Sequence, residues 1–110
     1  MSREEDKVYM LNVLWFKPDG GAATYGHYAK AVQPLLAAAG ARVLDGYQPV
    51  HALIGDWDPD LLFIVEWPSW QVFQETVQGE AYAKIRHLRE DALDRSLLIR
   101  CQKMALRESS

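Results

Sequence analysis

An α+β sandwich, with four antiparallel strands forming one layer and two helices the other, is what this 110-residue sequence predicts. Three observations carry that expectation. Strand-like and helical segments follow one another in the order β-α-β-β-α-β. Each helical segment has a single apolar stripe, which needs one surface to cover. The first and third strands are apolar on both faces, although helices packed on one side cover only one of them.

The first strand is "KVYMLNVLWF", Lys7 to Phe16, halted by the breaker "KPDGG". Val8, Met10, Leu14 and Phe16 occupy one parity, and Tyr9, Leu11, Val13 and Trp15 the other. The first helix follows in "ATYGHYAKAVQPLLAAAG". Tyr25, Tyr28, Ala29, Val32, Leu35, Leu36 and Ala39 recur at helical spacing, with Thr24 as a candidate N-cap and Gly40 just past the end. Pro34 removes the hydrogen bond to the carbonyl of Lys30, which predicts a kink or break.

"ARVLDGYQPVHALIG" alternates loosely around Gly46 and Pro49 and reads as a bent or bulged edge strand, or two short ones. "DWDPD" turns the chain, and "LLFIVEW", Leu61 to Trp67, is the third strand. Ser69 caps the next helix, "PSWQVFQETVQ", which Gly79 interrupts. "EAYAKIRHLREDAL" resumes it with a stripe of Ala81, Tyr82, Ile85, Leu88 and Ala92, and "SLLIRCQKMAL" is the fourth strand. With right-handed crossovers this order gives the ferredoxin-like arrangement, both helices on one face. The uncovered apolar face then predicts a homodimer formed through the sheet faces.

Composition narrows the function classes. One domain spanning 1–110, with a core of about 7–105, fits the length. A net charge of −3 without basic clusters argues against nucleic acid as a partner. The lone Cys101 excludes an intramolecular disulfide and any CxxC chemistry. No signal-peptide pattern opens the chain, and no apolar run approaches the roughly 20 residues of a membrane span, so a soluble cytoplasmic protein without a membrane partner is expected.

Taken together, "GDWDP" before an apolar strand, "VEWPSW" at its end and "GEAYAKIRHLREDAL" beyond resemble the DUF1330 family of the dimeric α+β barrel superfamily. The similarity runs from about Val8 to Gln102. Val65, Glu66, Trp67, Pro68 and Ser69 match the family piece (I/V)-E-(F/W)-P-S. Gln78, Gly79, Glu80, Tyr82 and Arg89 match S-P-E-Y-x6-R, with Gly79 in place of Pro and Ala81 as an extra residue. "IRCQ" in the last strand departs from the family's "IVEG". The resemblance implies a subunit that dimerises through its sheets around a cavity, in a superfamily of cofactor-free monooxygenases, cyclases, isomerases and haem enzymes. It does not name an activity.

Glu66 is the leading catalytic candidate, because a carboxylate among large apolar residues either acquires a raised pKa suited to acid/base work or finds a cationic partner. Asn12, polar within a double-sided strand, is expected to share a cavity with it, and Arg100 either to neutralise Glu66 or to hold an anionic ligand. His51 is the histidine best placed for a site; His27 and His87 lie off the helical stripes. Tyr82, like Tyr25 and Tyr28, is a packing residue whose hydroxyl would suit a ligand carbonyl, and Arg89 pairs with a carboxylate or a helix end.

No cofactor or metal is expected. Asp56, Asp58 and Asp60 have the spacing of a calcium loop, but Leu61 and Trp67 stand where Gly and Glu are required. Two function classes follow. One is a cofactor-independent isomerase, cyclase or monooxygenase acting on a small organic substrate with Glu66 as acid/base. The other is a non-catalytic homodimer that is structural or binds a small molecule.

Overall fold

The computed structural model describes residues 6–104. Strand β1 (Val8–Phe16) leads to helix α1 (Gly21–Ala39), the edge strand β2 (Arg42–Tyr47) and strand β3 (Leu61–Trp67). Helices α2 (Trp70–Val77), α3 (Glu80–Ala83) and α4 (Arg86–Ala92) then lead directly into strand β4 (Leu93–Cys101). The sheet order is β2-β3-β1-β4 and every pairing is antiparallel, which is the ferredoxin-like arrangement.

Register assigns each side chain to a face. Val8 lies opposite Trp67, Met10 opposite Val65, Asn12 opposite Phe63 and Leu14 opposite Leu61. This parity faces the helices and packs with Tyr25, Tyr28, Val32 and Leu36 of α1. The other parity forms two cross-sheet rows on the outer face: Ile64–Leu11–Ile99 and Leu62–Val13–Leu97. Val13 at the centre of the second row is fully buried, whereas Ile99 is 43% exposed and Tyr47 on β2 is 58% exposed.

Helix α1 ends by geometry that only glycine adopts readily. Gly40 sits at φ 77°, its N–H donates to the Ala37 carbonyl, and Ala41 N donates to Leu36 O at 2.9 Å. Ser69 caps α2 as expected, its Oγ accepting from Val72 N at 3.1 Å. β2 is an edge strand whose register shifts between Val43 and Gly46, so the predicted bulge is present.

Five local expectations need correction. α1 passes through Pro34 unbroken, because Val32 and Leu36 on either side are both anchored in the core while Pro34 faces outward. Thr24 is not the cap: the helix begins at Gly21, and Thr24 N already donates to Gly20 O at 3.0 Å. Ala81 is exposed, so the stripe there is carried by Tyr82, Ile85, Leu88 and Ala92, and a turn at Lys84–Ile85 divides this segment into α3 and α4. β4 starts at Leu93 rather than Ser96 and ends at Cys101; residues 105 and 106, assigned to it from sequence, lie outside the described residues. No second strand forms in 48–60, which is instead an exposed arm carrying Val50, Leu53 and Ile54.

The arm returns to the sheet through several contacts with β1, among them Asp60 N donating to Leu14 O at 2.8 Å. Trp15 Nε1 donates to Asp58 Oδ1 at 3.1 Å, Phe16 N donates to Asp60 Oδ2 at 2.8 Å, and Trp15 meets Trp57 edge to face. Two of the acidic residues tested above as calcium ligands therefore cap backbone and indole N–H groups. Among the described residues no group of three or more His, Cys, Asp or Glu could hold a metal ion, and no helix is long and apolar enough to cross a membrane.

Candidate functional site

Between the sheet and the helices lies a cavity of about 360 Å³. That size falls at the lower end of the range for small-molecule sites, roughly 300–1,000 Å³. The sheet supplies Met10, Asn12, Phe63, Val65 and Trp67; α1 supplies Tyr25, Tyr28, Val32 and Leu36; Phe73 and Thr76 of α2 close another side. Tyr82 of α3 and Arg89 of α4 complete the wall. The lining is mainly apolar; besides Gln33 and Thr76, its polar side chains form one connected set.

That set is built from four elements. Asn12 is 7% exposed in the middle of β1; its Nδ2 donates to Met10 O at 3.2 Å and its Oδ1 accepts from Arg89 Nη2 at 3.2 Å. Arg89 also hydrogen-bonds the hydroxyl of Tyr25. The Tyr28 and Tyr82 hydroxyls lie 3.0 Å apart, joining α1 to α3. Phe16, Tyr25, Tyr28 and Tyr82 form a chain of ring contacts with centroids 5.6, 5.3 and 6.3 Å apart, which fixes the hydroxyl positions.

Burial sets the protonation state of these tyrosines. It pushes Tyr25 up to about 12, with the nearby Arg89 charge opposing, and it raises Tyr28 still further with help from the Tyr82 hydrogen bond. Both are therefore neutral hydroxyls at physiological pH, able to donate and accept but unsuited to act as bases. The linkage has a definite sign. Because Tyr25 binds its proton more tightly when folded, its contribution to stability is full below pH 10 and is lost as pH rises from 10 towards 12. Stability measured by urea denaturation should fall over that window, and less steeply in Tyr25→Phe. An equal fall in the variant would exclude Tyr25 as a source of this loss.

The sequence-predicted residues divide between the two faces of the sheet. Asn12, Tyr82 and Arg89 meet at the cavity. Glu66 does not: its partner in the register is Tyr9, on the outer face, so it shares no cavity with Asn12. Arg42 Nε donates to Glu66 Oε1 at 2.9 Å, Lys7 Nζ lies 3.8 Å away, and the Tyr9 hydroxyl also hydrogen-bonds the carboxylate. The Arg42 hydrogen bond, foremost among these, holds Glu66 below the usual carboxylate range despite some burial. Glu66 is thus ionised and paired, which removes the physical basis for the acid/base role expected of it.

Arg100 is on the helix-facing parity and stacks its guanidinium over Trp70 at 4.2 Å, so it neither neutralises Glu66 nor lines the cavity. His51 is exposed in the 48–60 arm, away from the cavity wall. The packing expected of Tyr25 and Tyr28 is present, and their i, i+3 spacing on the buried stripe is the signal that two hydroxyls enter the interior together. The partner of Glu66, Arg42, carried no signal beyond its place on a neighbouring strand.

The DUF1330 family model, described as a domain of unknown function, matches residues 18–100. The chain belongs to the DUF1330 family. A protein of unknown function from Rhodopseudomonas palustris is 30% identical, with 96% of this chain and 87% of that one covered and a TM-score of 0.84. A dimeric protein of unknown function and ferredoxin-like fold from Bacteroides fragilis is 6% identical, covers 94% of this chain and 100% of its own, and has a TM-score of 0.64. A dabb family protein with a ferredoxin-like fold from Mesorhizobium loti is 13% identical over 90% of this chain and 98% of its own, with a TM-score of 0.65. The last two share the fold at identities that carry no function. No curated protein matches. The DUF1330 motif residues Tyr82 and Arg89 thus sit in the cavity wall, whereas Glu66 of the other motif braces the outer face.

Proposed function

We propose that this DUF1330 chain binds a small molecule with an apolar body and an oxygen-bearing head in the cavity between sheet and helices. The observation that carries the reading is the meeting of Asn12, Arg89 and three tyrosine hydroxyls at one mainly apolar cavity. Apolar enclosure supplies affinity, and the few convergent polar groups orient the ligand. Binding is favoured over proton-transfer catalysis because no Asp, Glu, His, Lys or Cys lines the cavity among the described residues. A base or acid that works near neutral pH is missing from the wall.

The test is thermal stabilisation by a panel of six-membered-ring alcohols, ketones, amides and acids. Ala29 lines the cavity but is exposed, so Ala29→Trp should plug the opening without overpacking the core. Wild type and Glu66→Gln should show the ligand-induced rise in Tm, and Ala29→Trp should not. Absence of any rise across the panel, or an undiminished rise in Ala29→Trp, would discard the reading.

The outer sheet face supports a second element of the reading, a homodimer formed through it. Leu11, Leu62, Ile64 and Ile99 present apolar side chains on the face that carries no helix. A surface of this kind on a small chain is most economically covered by a second copy. The dimeric state described for the Bacteroides fragilis protein is in keeping with it. Ile64→Lys places a charge at the centre of that face; light scattering should then show wild-type dimers and monomeric variant. A monomeric wild type would end the proposal.

A further inference from the structure

The cavity's charge balance says more about the ligand, on the reading just given that the cavity binds one. Arg89 is half-buried, and its partners are the amide oxygen of Asn12 and the hydroxyl of Tyr25, both neutral. No carboxylate lies within ion-pair distance of it among the described residues; the pairs formed nearby are Arg86 with Glu90 and, on the other sheet face, Lys7 and Arg42 with Glu66. A guanidinium carries five N–H donors, so these two acceptors leave donors over. A partly desolvated cation without a counter-charge, set in the wall of an apolar cavity, is an unfavourable arrangement that an anionic ligand would relieve.

We infer that the ligand is a monocarboxylate with an aromatic or alicyclic body. The planar guanidinium fork fits a carboxylate, which it binds through two parallel hydrogen bonds. The Tyr28–Tyr82 pair adds a donor: whichever hydroxyl donates across the 3.0 Å contact, the other proton is left for a third group. One cation matches one negative charge, which disfavours a phosphate dianion. The rings of Phe63, Trp67 and Phe73 in the wall suit a flat or six-membered apolar body. Charge-assisted hydrogen bonds are stronger than neutral ones, enough to separate an acid from its amide by about tenfold or more in affinity.

Calorimetric titration of the intact protein at pH 7 with benzoate, phenylacetate and cyclohexanecarboxylate, each beside its carboxamide, tests this. At least one acid should bind about tenfold more tightly than its amide, inorganic phosphate should not compete, and Arg89→Met should bring acid affinity down to that of the amide. Tyr82→Phe, which keeps the ring, should weaken the acid by a smaller factor and provides a variant if Arg89→Met does not fold. Amides that bind as well as the acids would overturn the carboxylate assignment and leave the cavity reading intact. If acids fail while the ketones and alcohols of the thermal panel bind, the assignment falls alone; if nothing binds, both fall.

Discussion

Leu14→Ala should cost about 3 kcal/mol of folding stability, from the usual 2–5 kcal/mol for emptying a buried leucine site. Leu14 is fully buried in the central strand, faces the helices and lies opposite Leu61, so its truncation leaves a void that neighbours on three sides cannot fill by moving outward. For a domain of this size the loss corresponds to a fall in Tm of roughly 12–20 °C. Leu98→Ala, on the same sheet face but 48% exposed, is the matched control and should cost less than about 1 kcal/mol. Chemical denaturation of the two variants side by side decides the matter. Similar costs would mean that the core is not centred on β1.

Gly21→Ala should also be strongly destabilising, by about 1–3 kcal/mol, even though alanine is the better helix former. A Cβ on Gly21 would stand 2.5 Å from the carbonyl oxygen of Ala92 and 3.2 Å from Lys17 Cβ. That carbonyl is held in place by Lys17 N, which donates to it at 2.9 Å, and Ala92 is itself fully buried. Neither neighbour is the flexible end of a side chain, so α1 must shift away from the junction of α4 and β4. The shift would carry Tyr25 with it and loosen its contact with Arg89, so ligand-induced stabilisation should shrink along with Tm. A variant as stable as wild type would show that the backbones at this junction can part at little cost.

Much of the fold was legible because the relevant signals are local or periodic. The two parities of β1, the Ser69 cap and Gly40 at the end of α1 each follow from a few adjacent residues, and the structure reproduces them. Pro34 misled because its cost is local, whereas the packing of Val32 and Leu36 that holds the helix together is not. The site was half legible. Asn12, Tyr82 and Arg89 were expected there, but the parities of two strands read separately do not say which parity of one shares a face with which parity of the other. That unassigned β1–β3 register put Glu66 and Asn12 together in expectation and apart in the structure. Ion pairs such as Arg42–Glu66 depend on strand register, which the sequence constrains weakly at a bulged edge strand.

The direct passage from Ala92, the last residue of α4, to Leu93, the first of β4, has a consequence for how this chain tolerates change in length. With no linker between them, the rotation of Arg89 about its helix and the side of the sheet to which each β4 residue points are set by one count of residues. Unless it enlarges the bulge already present where Leu93 and Arg95 pair with Phe16 and Trp15, an inserted residue turns the helix by about 100° or reverses every side chain of the strand. The first displaces the guanidinium from the cavity, and the second exchanges Ile99 for Arg100 on the outer face. Residues 48–56 of the arm, ahead of the contacts that Trp57, Asp58 and Asp60 make with β1, are by contrast free of any such gearing. Natural variation in length should accumulate in the arm and be absent at the α4–β4 joint, and a designed insertion scan should find the same asymmetry.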